Sequence, residues 1–410
     1  NQYPGFQMIC KSLNSNAPGL RGRTRPAAFA DEISHMNQTD SKQSAAEMKM
    51  KGQTPPTMPF VVITDLQSGP GDTVSIDLFN IITGPPTMGD RKIAGRLMSL
   101  SSSSMDMKIN QCRGGVETGG RMSQKRTRHS LRGIAKANLG GWNARLYDQL
   151  AMVHCAGARG TQNDNEWIVP LTSDADFTAI VVNSVVPPTR NRRFFAGDAT
   201  SVTDLDTADI LTLNDLDRIR MTLGEMAFTM QPVQMAGDPQ AEDSHLYVLY
   251  VTERVWYNLQ ISTTGQNWRN FLAQAHERSR GFNHPLFLGD TGVWANFVVK
   301  KMNRTIRFAA GETVSEYNAS DVAADVTAAV GFDRCLILGG QALAIAYGNT
   351  GGGGSDGYFF NWHEEMTDHD NIREISSSSI SGMAKIRFTG SDGAPTDHGV
   401  ATLDCYAPTT

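Results

Sequence analysis

The chain has 410 residues, of which 40% are hydrophobic and 19% charged, with a formal net charge of −5. That length can bury a sizeable core split between two or more lobes, and the slight acidity argues against a general nucleic-acid binder. No apolar run approaches the ~18 residues of a membrane span, no secretory-signal pattern opens the sequence, and the five cysteines lie far apart without a C-x-x-C, which favours reduced thiols in a cytoplasmic compartment.

Residues 1–58 lack sustained periodicity and are rich in Gln, Asn, Pro, Gly, Lys and Met. Such a segment cannot bury enough apolar area to fold alone, so it reads as an arm laid along a neighbouring subunit rather than a self-packed element. From Pro59 the β-branched run PFVVITDL reads as a strand that ends at the turn residues 68–72. Val74, Ile76 and Leu78 then alternate with Ser75 and Asp77, and Met105, Met107 and Ile109 alternate with Asp106, Lys108 and Asn110. Together residues 72–122 read as a long two-stranded excursion ending at Gly114-Gly115 and Gly119-Gly120. An isolated hairpin is marginal in water, so this one is expected to rest outside its own domain.

The stretch 123–157 organises the rest. Leu131, Ile134/Ala135, Leu139, Trp142, Leu146, Leu150 and Val153 fall at steps of three and four along one helical face. Ser123 is placed to cap its start and Gly157 to cap its end, giving a rod of ~50 Å. Lys125, Arg126, Arg128, Arg132 and Lys136 crowd the half where the macrodipole is already positive, which calls for acidic groups nearby or a solvated basic face. Gly140-Gly141 is a place where such a helix can bend, which suggests flexing between two states of an assembly.

Beyond it, 160–186 reads as loop and short strand, with Pro187-Pro188 as a boundary. Residues 213–226 form a helix with Leu213, Leu216, Ile219 and Leu223 on one face, and 245–252 a buried strand. Residues 254–259 and 268–278 are helical, and 293–308 is strand. Helices are expected at 324–330 and 341–347, and a buried strand at 335–338. The alternation from about 205 to 350 argues for a compact α/β lobe. The serines 376–379 read as a polar stop, and 384–388 and 400–406 as strands.

Chemistry-bearing patterns are weak. Gly353-Gly354-Ser355-Asp356-Gly357 matches G-x-S-x-G by letter but lacks the strand-to-helix context a nucleophilic Ser355 needs. His363, Glu364, Glu365, Asp368, His369 and Asp370 form the densest ligand-capable cluster. Its spacing is wrong for H-E-x-x-H, and a solvated or intersubunit acidic loop fits better than a cation site. A hydrolase using Ser355 or the His363/His369 cluster is the alternative function. His154 and Cys155 read as packing residues. The basic stretch 125–136 lacks interleaved aromatics for nucleic-acid binding.

The order of pieces is more informative than any motif: polar arm, long hairpin, very long helix, α/β lobe, returning C-terminal strand. With GDTVSIDL at 71–78, MSQKR at 122–126, MVHCAGARG at 152–160, ILGGQALAIAYG at 337–348, SGMAKIRF at 381–388 and DHGVATLD at 397–404, the chain resembles the major capsid proteins of tailed double-stranded DNA bacteriophages. The resemblance implies the α+β fold of tailed-phage and herpesvirus shells. Its parts would be an N-terminal arm (1–58), an extended loop (72–122), a peripheral domain (59–71, 123–204 and 366–410, with the spine helix at 123–157) and an axial domain (205–365). It implies hexamers and pentamers that close icosahedrally around double-stranded DNA, enclosed without sequence-specific binding. Portal, decoration and scaffolding proteins would be further partners, with no membrane. The expected location is the virion, after assembly in the bacterial host cytoplasm. It implies no catalytic residue, no cofactor and no metal site.

Overall fold

The computed structural model describes residues 58–63, 66, 71–79, 85–98, 102–226, 228–233, 246–281, 291–302, 304–349, 360–389 and 393–407. The expected arm up to residue 57, and Ser355 with its flanking glycines, lie outside the described residues.

Strand β1 (Phe60–Ile63) falls in the predicted apolar run. Strands β2 (Thr73–Phe79) and β3 (Ser102–Lys108) pair antiparallel, with Thr73 opposite Lys108 and Phe79 opposite Ser102. After Ile109 the chain enters β4 (Asn110–Gly120), where the two-stranded excursion was expected to continue. β4 instead pairs with a strand at 372–385 of the same chain, so only residues 73–108 form the separate ribbon. The glycines of β4 are packing devices here: a Cβ on Gly114 would strike the Trp142 ring at 2.6 Å.

The single helix expected over 123–157 is two helices, α1 (Arg121–Arg126) and α2 (Leu131–Ala156), parted by extended backbone at Thr127 and Ser130. Neither has an acidic residue in its first turn, and the break puts Lys125 and Arg126 in the last turn of α1, the end where the dipole favours cations. Ser123 therefore lies inside α1. Ser130 is the N-cap of α2, its Oγ accepting from the Gly133 N–H at 3.3 Å. Gly157 closes α2 in the left-handed region (φ 64°), as its type and position anticipated. The helix runs unbroken through Gly140-Gly141, with Gly140 buried.

Next come α3 (Phe177–Val181), where a short strand was expected, and β5 (Arg193–Phe195). Helix α4 (Leu213–Glu225) opens with a Thr212/Asp215 capping box and buries Leu213, Leu216, Ile219 and Leu223, the face its spacing marks. Then follow β6 (Tyr247–Val251), α5 (Glu253–Ser262), α6 (Gly265–Gly281), β7 (Thr291–Trp294), β8 (Phe297–Lys301) and β9 (Ile306–Phe308). The hairpin β10 (Thr313–Tyr317) and β11 (Ala323–Thr327) replaces the helix expected at 324–330. β12 (Phe332–Leu338) is buried throughout, and β13 (Leu343–Tyr347) is strand where the alanine-rich sequence suggested helix. Strands β14 (Phe360–Thr367), β15 (Ile372–Lys385), β16 (Arg387–Thr389), β17 (Pro395–Asp397) and β18 (Val400–Tyr406) complete the chain.

Two mixed sheets dominate. The five-stranded sheet runs β1-β13-β15-β14 with β4 on the other edge of β15. Leu343, Ile345 and Met383 face the core beneath α2, while Ala344, Ala346 and Ala384 face the ribbon root at Ile76 and Met107. Burial on both faces overrides the helical propensity of alanine in β13. The serines 376–379 lie inside β15 and let α2 approach closely: Asn143 donates to Ser377 Oγ at 2.8 Å, and Tyr147 and Ser381 share a hydroxyl bond of 2.7 Å.

The seven-stranded sheet runs β5-β18-β12-β6-β8-β7, with β9 on β12. One face packs under α4, α5 and α6 through residues such as Leu216, Val255, Leu259 and Phe271. The other shares a core with the last turns of α2 (Met152, Val153, Cys155, Ala156). Sheet membership cuts across the spans read from sequence: β13, within 205–365, and β14, which crosses the 365/366 boundary, join the first sheet, and β18, within 366–410, joins the second.

Candidate assembly surface

The ribbon divides into a root and a tip. At the root, Ile76 and Met107 are 1% and 0% exposed against Val61, Ile63, Ile386 and Phe388 of the body. At the tip, Met88, Ile93, Leu97 and Met98 are 70%, 63%, 76% and 45% exposed. Asp90, Arg91, Lys92 and Arg96 are interleaved with them and are likewise exposed. Four exposed apolar side chains thus fall within one short irregular segment. Sequence reasoning located the ribbon but not these four residues, because no period of two or 3.6 links them.

The second feature is the basic start of α2. Arg132 grips Glu364 of β14 with two bonds, 2.8 Å from Nε and 2.7 Å from Nη2, and Lys136 pairs with the same carboxylate while stacking over Trp362. Of the two readings of the charge pattern, nearby acid holds for Arg132 and Lys136. The Arg132 bonds foremost, with help from Lys136 and Trp362, hold the Glu364 carboxyl down at about 2. Lys125, Arg126 and Arg128 have no ion pair among the described residues and stay exposed.

The ligand-capable cluster is dispersed. His363 points to solvent, 3.8 Å from Glu365, both on β14. Asp368, His369 and Asp370 form the tight turn into β15, each with positive φ. Among the described residues no group of three or more His, Cys, Asp or Glu is arranged to hold a metal ion.

The third feature is a set of buried ion pairs and hydrogen bonds beneath these surfaces. Arg334 on β12 and Asp404 on β18 stand opposite each other with both side chains 0% exposed, joined by two bonds of 2.8 Å. Arg334 also reaches the Ala156 carbonyl at 3.3 Å, a cation at the negative end of α2. On the opposite face of β12, Asp333 accepts two bonds from Arg307 (2.6 and 2.7 Å) and one from Thr252 (2.6 Å). Asp397, fully buried, binds Lys385 at 2.9 Å and Arg387 at 2.6 Å. Gln149 in α2 ties the 166–169 loop, its Oε1 accepting from Ile168 and Val169 and its Nε2 donating to the Glu166 carbonyl. Both sheets and the helix between them thus form one braced body carrying an exposed apolar tip.

The fold is that of tailed-phage capsid subunits. It superposes on the capsid of Ralstonia phage GP4 with a TM-score of 0.71 at 26% identity, covering 91% of this chain and 96% of that one. The Cyanophage Pam1 capsid shares the fold at a TM-score of 0.59 and 17% identity, over 91% of this chain and 97% of that one. In sequence, the chain is 24% identical over 344 residues to the major capsid protein of Pseudomonas phage KPP25, covering 81% of this chain and 83% of that protein. Residues 22–409 match the phage capsid protein family, and the chain belongs to it. It is a structural subunit of an icosahedral phage capsid and a component of the virion.

Proposed function

We propose that the chain builds its shell as hexamers and pentamers in which the ribbon tip of one subunit lies on its neighbour. The observation that carries this reading is the exposure of Met88, Ile93, Leu97 and Met98 beyond a buried root. Obligate assembly contacts commonly bury ~2,000–5,000 Å² and resemble divided cores. In this reading the body around the five-stranded sheet and α2 is the peripheral domain. The seven-stranded sheet with α4 to α6 is the axial domain at the capsomer centre, and residues 1–57 are an arm on a neighbour. The shell encloses double-stranded DNA without reading its sequence, assembles in the bacterial cytoplasm, and meets portal, decoration and scaffolding proteins. A slight net negative charge suits that container, since a basic lining would hold the genome by counterion release. The subunit acts without catalysis.

The test is an Ile93→Asp, Leu97→Asp variant. The reading expects soluble folded subunits and no closed shells by negative-stain imaging, with shells from the unaltered chain. Closed shells from the variant would contradict it.

A further inference from the structure

The ribbon leaves the body at Lys108-Ile109, where β3 ends and β4 begins. The ladder closes there through the Ile109 N–H and the Asp72 carbonyl at 2.9 Å. At that point the chain is gripped by a side chain from a different element. Asn183 Oδ1 accepts from the Lys108 N–H at 2.8 Å, and its Nδ2 donates to the Lys108 carbonyl at 2.9 Å. This two-point contact mimics one residue of a strand partner. The same Nδ2 donates to the Met383 carbonyl of β15 at 3.0 Å. One amide therefore fastens the ribbon root to the five-stranded sheet. The fit is close: a Cβ on Gly382 would overlap the Lys108 carbonyl, and one on Gly348 would meet the Ile109 side chain at 2.8 Å.

The backbone that presents Asn183 is strained. Val182 has φ 62° and ψ −59°, a tight γ-turn closed by the Asn183 N–H on the Val181 carbonyl at 2.7 Å. A β-branched residue at positive φ is an outlier that persists only when its surroundings over-determine it, and such strain gathers where geometry serves function. The surroundings are identifiable. His154, in the last turn of α2, has its Nε2 3.3 Å from the same Val181 carbonyl. Since that carbonyl can only accept, Nε2 is the protonated nitrogen of the ring. The end of the long helix, the γ-turn and the ribbon root are thus linked in series.

We propose that Asn183 is a positioning residue for shell assembly: it fixes the angle at which the extended ribbon leaves its own subunit, and couples that angle to the end of α2. This rests on the reading of the ribbon as the element laid on a neighbour.

The test uses Asn183→Ala in the full chain, with Val182→Gly as companion. Hydrogen exchange on purified unassembled protein should speed up about tenfold at amides 102–112, the loss expected for bonds of this kind. Strands β12 and β18 should keep their protection. Asn183→Ala particles imaged by electron cryo-microscopy should lose the uniform diameter of the unaltered shells. Val182→Gly, which adopts the turn without strain, should keep both the protection and the uniformity. Unchanged exchange at 102–112, or exchange accelerated equally in β12 and β18, overturns the clamp. Accelerated exchange with uniform shells overturns the positioning role while leaving the ribbon's assembly reading intact.

Discussion

At the residue scale, His154 and His398 report how firmly the interior is closed. Burial foremost drives both down to about 4; the charge of Lys385 adds to this at His154 and that of Arg192 at His398. Between pH 6.5 and about 4 the unfolded chain takes up protons that the folded chain refuses. Stability is therefore complete above pH 6.5 and falls as pH drops towards 4, by on the order of 3 kcal/mol for each histidine. His398→Phe preserves the edge-on ring contact with Phe388, so its melting temperature should fall less than the unaltered chain's between pH 7 and pH 5. Glu364 behaves in the same direction at lower pH. Its folded value of about 2 means its contribution is complete above pH 4.5 and lost as pH falls towards 2. Glu364→Gln, leaving Arg132 and Lys136 without their charge partner, should lower stability at pH 7 by about 1–2 kcal/mol in denaturant melts.

At the element scale, the buried Arg334–Asp404 pair braces β12 to β18 and to the end of α2. Arg334→Met alone strands a buried carboxylate and should cost about 3–5 kcal/mol; pairing it with Asp404→Leu should recover most of that loss in chemical denaturation. Gly292 on β7 is in contact with the Phe271 ring of α6, where no Cβ fits. Gly292→Ala should therefore cost about 1–3 kcal/mol by overpacking.

These elements also show what the sequence could tell. Amphipathic spacing located α4, the alternation of Val74 and Ile76 with Ser75 and Asp77 located β2, and the apolar runs located β6, β12 and β18. Local pattern failed where tertiary contact decided the outcome. The 341–347 segment is alanine-rich yet sandwiched on both faces. The serines of β15 look like a linker until Asn143 and Tyr147 are placed above them. The glycines of β4 look like a ribbon's end until Trp142 needs the space. For the assembly surface, the chain order pointed to the ribbon, and the crowding of five basic residues left nearby acids or a solvated face open: Arg132 and Lys136 took the first, Lys125, Arg126 and Arg128 the second. The tip residues Met88 to Met98 and the Asn183 contact had no periodic signature, because one is irregular and the other depends on a side chain reaching across the fold.

At the scale of the whole molecule, a braced body carries a tip that has no partner of its own among the described residues. The buried ion pairs, the satisfied Gln149 amide and the shared core around α2 tie both sheets and the helix together beneath the tip. The most direct measurement replaces residues 80–101 with an Asn-Gly turn, joining Phe79 to Ser102 in their existing register, and follows particle size by light scattering. The expected outcome is folded protein at capsomer size or smaller, with a melting temperature close to that of the unaltered subunit and no shells. Closed shells of normal diameter from that variant would contradict it.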